Sequence, residues 1–329
     1  MTASPADAPP IPGLLFRGLR RPADDCAIAG LLNAGLAADG IPHRQSLAQV
    51  SNWLDNPSRF DPLQDILIAE VDGTPVGYAE GGWELDNDSG RNYSVWGQVH
   101  PDWRRRGLGT ALLRWVEARQ RDVAAALPSG VDERLESWAA ESEPGRIALL
   151  ERHGYRVVRY DFEMERPHLD EIPDLPLPDG IEFRAAREED LRRHWEIEVE
   201  VFRDHWGAID DSEASFERMR SDPRRQIGLW VVAWEGDEIV GQVLNRIDSA
   251  NEEIGIKRGW ISSVGVRRAW RRRGVARAMT AESLRRLRDA GMTSAGLGVD
   301  AENANGALGV YAAAGFSVVR TERVYRKPL

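Results

Sequence analysis

The chain has 329 residues, above the size at which one hydrophobic core usually suffices, so two domains are the starting expectation. Hydrophobic residues make up 42% and charged residues 29%, which is typical of a soluble globular protein and excludes a disordered or collagen-like chain. The formal charge of −10 argues against nucleic acid as a partner, because a phosphate backbone demands a basic protein face.

The sequence also lacks the signals of membrane, disulfide and metal proteins. No apolar stretch approaches the roughly 20 residues that cross a bilayer, and the start of the chain has no signal-peptide pattern, so no membrane partner and a cytoplasmic location are predicted. Cys26, the single cysteine, lies in an apolar helical pattern that predicts a buried side chain without a catalytic role. No cluster of histidine and cysteine has metal-ligand spacing, so no metal is predicted.

The same order of elements is predicted in each half of the chain. In the first half, strands over 66–71 and 76–83 flank the turn Asp72-Gly73, and a third strand ends at Val99 before an amphipathic helix. In the second half, a helix over 191–202 precedes strands over 229–234 and 239–244, and a third strand ends at Val266 before a helix. A strand over 294–299, a short helix ending near Ala314 and a last strand from Phe316 complete that half. Each half is therefore predicted to be a mixed α/β domain.

A proline-rich segment separates the two halves. Residues 166–180 hold four prolines and several acidic residues without a regular period, as is typical of a linker. The predicted division is an N-terminal domain over 1–165, a linker over 166–180 and a C-terminal domain over 181–329.

One short cassette occurs twice, with the second copy beginning 167 residues after the first. Residues 99–109 read VHPDWRRRGLG, and residues 266–276 read VRRAWRRRGVA. A diphosphate needs several backbone N–H groups that converge on it, glycine allows the chain to come close, and a helix N-terminus adds favourable potential. Each cassette is therefore predicted to bind the phosphates of a nucleotide-like cofactor.

These segments resemble the acetyl-CoA loop of the GNAT superfamily of N-acetyltransferases, whose signature is Gln/Arg-x-x-Gly-x-Gly/Ala after the fourth strand. The second half also carries residues 303–316 (NANGALGVYAAAGF), similar to the family's Asn…Ala-Leu-x-Leu-Tyr-x-x-x-Gly-Phe segment. The resemblance covers almost the whole chain and implies an α/β fold with a mixed sheet that splays between its fourth and fifth strands. Two tandem domains of this kind look like the architecture of mycothiol synthase and related enzymes.

The resemblance implies acetyl-CoA (coenzyme A) as the cofactor and assigns a set of binding residues to both copies. The cofactor-binding residues expected in the second copy are Val264, Gly265, Val266, Arg271, Arg272, Arg273, Gly274, Val275, Ala276 and Asn303. Those expected in the first copy are Val99, Arg104, Arg105, Arg106, Gly107, Leu108 and Gly109.

The two copies are not chemically equal. Tyr311 occupies the position where the family places the acid that protonates the leaving thiolate, and Asn303 that of a polar residue beside the cofactor. When Gly154-Tyr155 is matched to Gly315-Phe316, Leu150 falls opposite Tyr311 and Ser142 falls opposite Asn303. The N-terminal domain is therefore expected to be catalytically degenerate.

The general base is left open by the sequence. An aliphatic amine is mostly protonated at neutral pH, so a carboxylate or histidine must accept a proton from it, directly or through water. Asp204 and His205 lie where the family builds its acceptor site, and a helix-end cap explains the same residues equally well. Glu252 and Glu253 are further candidates, although a solvated charge pair accounts for them better.

The sequence thus predicts an N-acetyltransferase that transfers acetyl from acetyl-CoA to a primary amine of a small molecule by direct attack in a ternary complex. The oligomeric state is left as monomer or homodimer. Two alternatives stay open at this point: an acyl-CoA-binding sensor module without acceptor chemistry, and an acetyltransferase of protein N-termini or lysines.

Overall fold

The computed structural model describes residue 5 and residues 7–87, 90–128, 130–203, 205–207, 210–303 and 306–329. The chain forms two compact units. The first consists of residues 1–158 together with 323–329, and the second consists of residues 159–322.

The first unit has two groups of strands and five helices among its described residues. Its elements are β1 (Leu14–Gly18), α1 (Asp25–Ala38), α2 (Leu47–Asp55), α3 (Pro62–Asp65), β2 (Ile66–Val71), β3 (Thr74–Glu80), β4 (Trp83–Leu85), β5 (Arg91–Ser94), β6 (Trp96–Val99), α4 (Leu108–Ala125), β7 (Glu133–Ala140), α5 (Pro144–Arg152) and the start of β8 (Arg156–Arg166).

Helices cover both faces of the sheet in the first unit. The antiparallel strands run in the order β1-β2-β3-β6. Alternate residues of β2 point to opposite sides, so Leu67 packs with Leu112 of α4 whereas Ile68 packs with Ile28 of α1. All six residues of β2 are buried, and its one charged side chain, Glu70, accepts a hydrogen bond from Arg17 Nε at 2.6 Å.

The second unit repeats this plan. Its elements are β9 (Glu182–Arg184), α6 (Leu191–Phe202), α7 (Glu213–Ser221), β10 (Val231–Glu235), β11 (Glu238–Ile247), β12 (Arg258–Val266), α8 (Val275–Asp289), β13 (Ser294–Asp300), α9 (Ala307–Ala313) and most of β14 (Ser317–Pro328). The strand order is β8-β13-β12-β11-β10-β9. The predicted hairpin is confirmed, because β10 and β11 pair antiparallel around Glu235 and Glu238.

Glycines set the distance between the sheet and its helices in the second unit. A Cβ on Gly241 would lie 2.9 Å from Met279 Cε of α8, and a Cβ on Gly265 would lie 2.7 Å from Val201 Cγ2 of α6. The mixed α/β fold expected for each half is confirmed by this layered arrangement.

The division into units differs from the predicted one in two places. The boundary falls between Val158 and Arg159, inside β8, and residues 166–180 lie within the second unit. Residues 323–329 belong to the first unit, where Tyr325 is fully buried in the core. Strand periodicity shows which face of a strand is buried and carries no information about the unit it joins, so the sequence could not predict this assignment.

The prediction for Cys26 was wrong. Its side chain is exposed, because α1 buries the face that carries Asp25, Ile28 and Leu31, and Cys26 lies outside that face. In the described part of the chain, no helix is both long and apolar enough to cross a membrane.

Candidate active site

The two Arg/Gly loops have the same backbone conformation. Arg105 and Gly107 have φ angles of 64° and 90°, and their counterparts Arg272 and Gly274 have 62° and 92°. Gly107 caps α4 and Gly274 caps α8, so the amides of the first helical turn lack intrahelical acceptors at each loop. Converging amides at the positive end of a helix form an anion-binding site. Each loop therefore fits a diphosphate.

The first arginine of each triplet holds its loop in place. Arg104 donates to both carboxylate oxygens of Asp39, at 2.6 and 2.8 Å, and to Val99 O at 3.3 Å. Arg271 donates to Val266 O at 2.9 Å and to Val201 O at 3.4 Å. The side chains of Arg105, Arg106, Arg272 and Arg273 are exposed and supply the positive charge of the two loops.

Strand β12 of the second unit separates from β13 halfway along its length. It pairs with β13 only from Arg258 to Ile261, while its pairing with β11 continues to Val266. The β11–β12 register shifts between Leu244 and Asn245, which leaves Ser262 as the extra residue of a bulge on β12. The segment 262–266 thus borders a gap between β12 and β13, as the resemblance implied.

Two backbone amides point into this gap. Arg267 N donates to Val240 O at 3.0 Å, so residue 267 faces β11, and in a regular strand residue 265 faces the same way. Val264 and Val266 therefore direct their N–H and C=O groups towards the gap. The side chains of both valines pack in the apolar cluster that contains Val275 and Met279.

The corresponding strand of the first unit breaks at Val95. Its first part, β5, pairs with β7, and its second part, β6, pairs with β3. A cavity of about 430 Å³ lies at this fork, and its lining includes Val99, Arg104, Arg105, Gly107, Gly109 and Leu150. The structure thus brings most of the predicted cofactor-binding residues of the first copy to one cavity.

Arg146 crosses this fork in the first unit. Its guanidinium lies 3.8 Å above the Trp96 ring and donates to Gly97 O at 2.9 Å and to Gln98 Oε1 at 3.0 Å. Gly97 is the counterpart of Val264, and the offset that matches Leu150 to Tyr311 matches Arg146 to Ala307. The gap-facing carbonyl that a bound chain would use is therefore already bonded in the first unit.

Sequence reasoning missed Glu80, which ends β3 beside Arg146. Burial raises the pKa of this carboxyl to about 8, and Arg146 opposes the shift. Glu80 Oε2 is shielded from solvent and has no hydrogen-bond partner among the described residues. No sequence signal marks the residue, because a glutamate at the end of a strand is more often solvated.

Tyr311 lies on α9 and packs in the apolar cluster that also holds Val264 and Val266. Burial raises the pKa of its hydroxyl to about 12, so the group is protonated at neutral pH. The hydroxyl makes no hydrogen bond with any residue that the structure describes. Its counterpart Leu150 is buried and has no acidic proton.

The remaining predicted residues lie around the ends of β13 and α6. Asn303 Oδ1 accepts from Ala307 N at 3.5 Å and so lies at the start of α9. His205 packs against Phe202 with 4.4 Å between ring centroids, and its charge acts on Asp300 at the end of β13.

Asp204 lies outside the described residues, as do Ala304 and Asn305 of the second motif. Glu252 and Glu253 are exposed in a 3-10 turn.

A nearby ion pair holds the end of β13. Arg159 donates to both oxygens of Asp300 at 2.8 Å and lies 5.1 Å above the Trp206 ring. Burial raises the pKa of Asp300, but the hydrogen bonds from Arg159 and from the Glu302 backbone, together with the charge of Arg159, lower it below its usual range. The segment that contains His205 and Trp206 is thereby held beside the C-terminal end of β13.

Family models match both halves of the chain. The model described as "Acetyltransferase (GNAT) family" matches residues 188–316, and that described as "Acetyltransferase (GNAT) domain" matches residues 62–157. Proteins named mycothiol acetyltransferase are similar to the chain over most of its length. The one from Geodermatophilus obscurus is 29% identical over 90% of this chain and 92% of its own, and the one from Salinispora tropica is 29% identical over 86% and 91%.

Solved structures agree with this assignment. A GCN5-related N-acetyltransferase from Sphaerobacter thermophilus is 31% identical, with a TM-score of 0.69 over 96% of this chain and 95% of that one. A tandem GNAT protein from the clavulanic acid biosynthesis pathway shares the fold at 18% identity, with a TM-score of 0.69 over 96% and 98% of the two chains. The chain belongs to the GNAT family of acetyltransferases and contains two GNAT domains.

Proposed function

We propose that this acetyltransferase transfers the acetyl group of acetyl-CoA to a primary amine of a small molecule, and that the chemistry takes place in the second unit. The contrast between the two forks supports the proposal. Ala307 and Tyr311 of the second unit stand where the first unit has Arg146 and Leu150. Among the described residues, the second fork therefore has an acidic proton and lacks the guanidinium that bonds the strand edge of the first.

Each part of the second site has one task in this proposal. The loop around Gly274 holds the diphosphate of coenzyme A, and a Cβ at Gly274 would meet nothing within 4 Å, so the approach is open. The gap-facing N–H groups of Val264 and Val266 stabilise negative charge on the acyl oxygen, where the loss of one such donor typically costs about 3 kcal/mol. Tyr311 gives its proton to the departing thiolate.

The acceptor class rests on the relatives. Several of them are named mycothiol acetyltransferase, which supports a small-molecule acceptor here as well. The segment 202–223 follows α6 and includes α7, and in this proposal it shapes the acceptor site.

Tyr311→Phe is the first prediction. The substitution removes the acidic proton and keeps the ring that packs in the apolar cluster, so we expect the turnover number to fall about 100-fold or more, within the usual range for general acid catalysis. The dissociation constant for coenzyme A should change by less than about twofold because the diphosphate loop is untouched. Turnover is measured by thiol release and affinity by calorimetry. An unchanged turnover number would remove Tyr311 from the mechanism.

Thiol release from acetyl-CoA in the presence of an amine panel tests the function itself. Small amines and amino-terminal or lysine peptides are compared at equal concentration. We expect release that depends on one class of small amine. Release only with peptides would redirect the proposal to protein acetylation, and binding of coenzyme A without release under any condition would identify a sensor.

A further inference from the structure

A carboxyl group that the sequence analysis did not single out lies beside the fork of the second unit. Glu198 is on α6, and its Oε1 accepts hydrogen bonds from Ser263 Oγ at 2.7 Å and from Gln242 Nε2 at 2.9 Å. Ser263 comes two residues after Ile261, the last residue of β12 that pairs with β13. The carboxyl is therefore held where the gap opens.

Within the described part of the chain, hydrogen bonds reach one of its two oxygens. Both hydrogen bonds end on Oε1, and Oε2 makes none with the residues that the structure describes. Oε2 is also absent from the unpaired polar atoms that are shielded from solvent. The two bonds fix the orientation of the carboxyl and leave its second oxygen accessible to a ligand.

Glu198 lies on the face of the sheet from which an amine can approach. The opposite face is filled by the side chains of Val264 and Val266, which pack with the apolar residues of α8. An acyl carbonyl that accepts from their N–H groups lies near the plane of the sheet, and a nucleophile attacks it from above or below that plane. The face towards α6 holds the polar groups of Glu198, Ser263 and Gln242 beside the apolar residues of that helix.

The first unit has no carboxyl at this position. A Cβ on Gly35 of α1 would abut Gln98, just as a Cβ on Gly265 would abut Val201 of α6. Because Gln98 is the counterpart of Gly265, this packing makes Gly35 the counterpart of Val201. Leu32, three residues before Gly35, is then the counterpart of Glu198, three residues before Val201. Leu32 belongs to the apolar cluster on that side of the first sheet.

We propose that Glu198 is the general base of the acetyl transfer, a role that rests on the function proposed above. Glu198 Oε2 takes a proton from the ammonium group of the acceptor, and the freed nitrogen lone pair forms the C–N bond to the acetyl carbon. The C–S bond breaks, and its electron pair leaves on sulfur, which takes the proton of Tyr311. The second proton on nitrogen passes to solvent as the amide forms, and Tyr311 is reprotonated from solvent.

The surroundings of the carboxyl fit a base that works near neutral pH. Burial raises the pKa of Glu198, and the hydrogen bonds from Ser263 and Gln242 oppose the shift. His194, one turn earlier on α6, shares Gln242 with it, and burial lowers the pKa of His194, so this neighbour is neutral at neutral pH. A base with a raised pKa accepts a proton more readily than an exposed glutamate does.

Glu198→Gln tests the proposal, with Glu196→Gln as the matched control on the exposed side of the same helix. The amide oxygen of glutamine still accepts from Ser263 and Gln242, so the fold should be unchanged. We expect kcat to fall about 100-fold or more in the Glu198 variant. The acid limb of the kcat/KM profile should disappear, and the dissociation constant for acetyl-CoA should stay within about twofold. The control should retain the wild-type values.

A direct titration supplies a readout that does not depend on turnover. In the ligand-free protein, ¹³C NMR of the glutamate carboxyls should show several resonances that titrate above the usual range, including those of Glu80 and Glu136. One further resonance of this kind should be present in the Glu196 variant and lost in the Glu198 variant. A Glu198 variant that keeps its rate and its acid limb would overturn the assignment, as would one that loses affinity for acetyl-CoA along with rate. If the wild type releases no thiol with any amine, the proposed function fails together with this base. If the wild type is active and the Glu198 variant is equally active, the function stands and the base is a different residue.

Discussion

Single residues distinguish the two units more sharply than their backbones do. The loops have nearly the same φ angles, yet the counterparts of Arg146 and Leu150 of the first unit are Ala307 and Tyr311 in the second. In the first unit the guanidinium of Arg146 bonds Gly97 O at the strand edge, and the second unit has Ala307 in its place. The loss of catalysis that we propose for the first domain therefore needs no change in its fold.

Glu80 carries a prediction about stability at this scale. The pKa of its carboxyl is about 8 in the folded chain, above the value of 4.5 in the unfolded one. The folded state thus binds more protons between these values, and stability is lost as the pH rises from about 4.5 through 8. Glu80→Gln cannot ionise, so we expect its stability relative to wild type to rise by on the order of 4 kcal/mol between pH 5 and pH 9. Urea denaturation at the two pH values measures this. An equal difference at both pH values would mean that Glu80 is ionised throughout.

At the scale of elements, a glycine joins each Arg/Gly loop to the helix that follows it. Gly107 and Gly274 adopt nearly equal left-handed φ angles, which cost a residue with a Cβ about 1–2 kcal/mol. Their surroundings differ, because a Cβ on Gly107 would lie 3.1 Å from Pro9 Cβ and one on Gly274 would meet nothing. Because the φ angles are nearly equal, replacing either glycine by alanine introduces a similar backbone strain in its loop.

Gly274→Ala should raise the KM for acetyl-CoA about tenfold. The alanine loop relaxes away from the left-handed conformation in the free protein and must return to it when the cofactor binds. A cost of about 1.4 kcal/mol corresponds to a factor of ten. Gly107→Ala is the matched control and should leave KM unchanged while lowering stability. Steady-state kinetics with acetyl-CoA as the varied substrate separate the two. A rise in KM for the Gly107 variant alone would assign turnover to the first unit.

Local patterns explain which elements the sequence could predict. The loops at Gly107 and Gly274 and the hairpin of β10 and β11 depend on neighbouring residues, and their signals stand in one short stretch. The contacts of Glu198 with Ser263 and of Arg146 with Gly97 join residues 65 and 49 positions apart. Nothing in either short stretch marks its partner, so these parts of the site emerged only from the fold.

At the scale of the whole molecule, the last seven residues belong to the first unit although they follow the second in the chain. Arg326 is 7% exposed and donates to Glu136 and, at 2.7 Å, to Asp86. Burial raises the pKa of Glu136, and Arg326 opposes that shift by favouring the charged form. Both carboxyls lie more than 180 positions earlier in the sequence. The chain terminus is thus a structural part of the N-terminal unit.

Arg326→Leu should therefore destabilise the first unit. It removes the guanidinium that bonds both buried carboxyls and leaves Arg134, 3.8 Å from Asp86, as their remaining cation. Removal of one member of a buried ion pair costs about 3–5 kcal/mol. Arg320→Leu is the matched control from the same strand, since Arg320 pairs with Glu163 of the second unit. Hydrogen exchange measured by mass spectrometry should show protection lost within residues 1–158 for the Arg326 variant and within 159–322 for the control. If the Arg326 variant loses protection only within 159–322, the terminal residues stabilise the second unit and the assignment of the last strand is wrong.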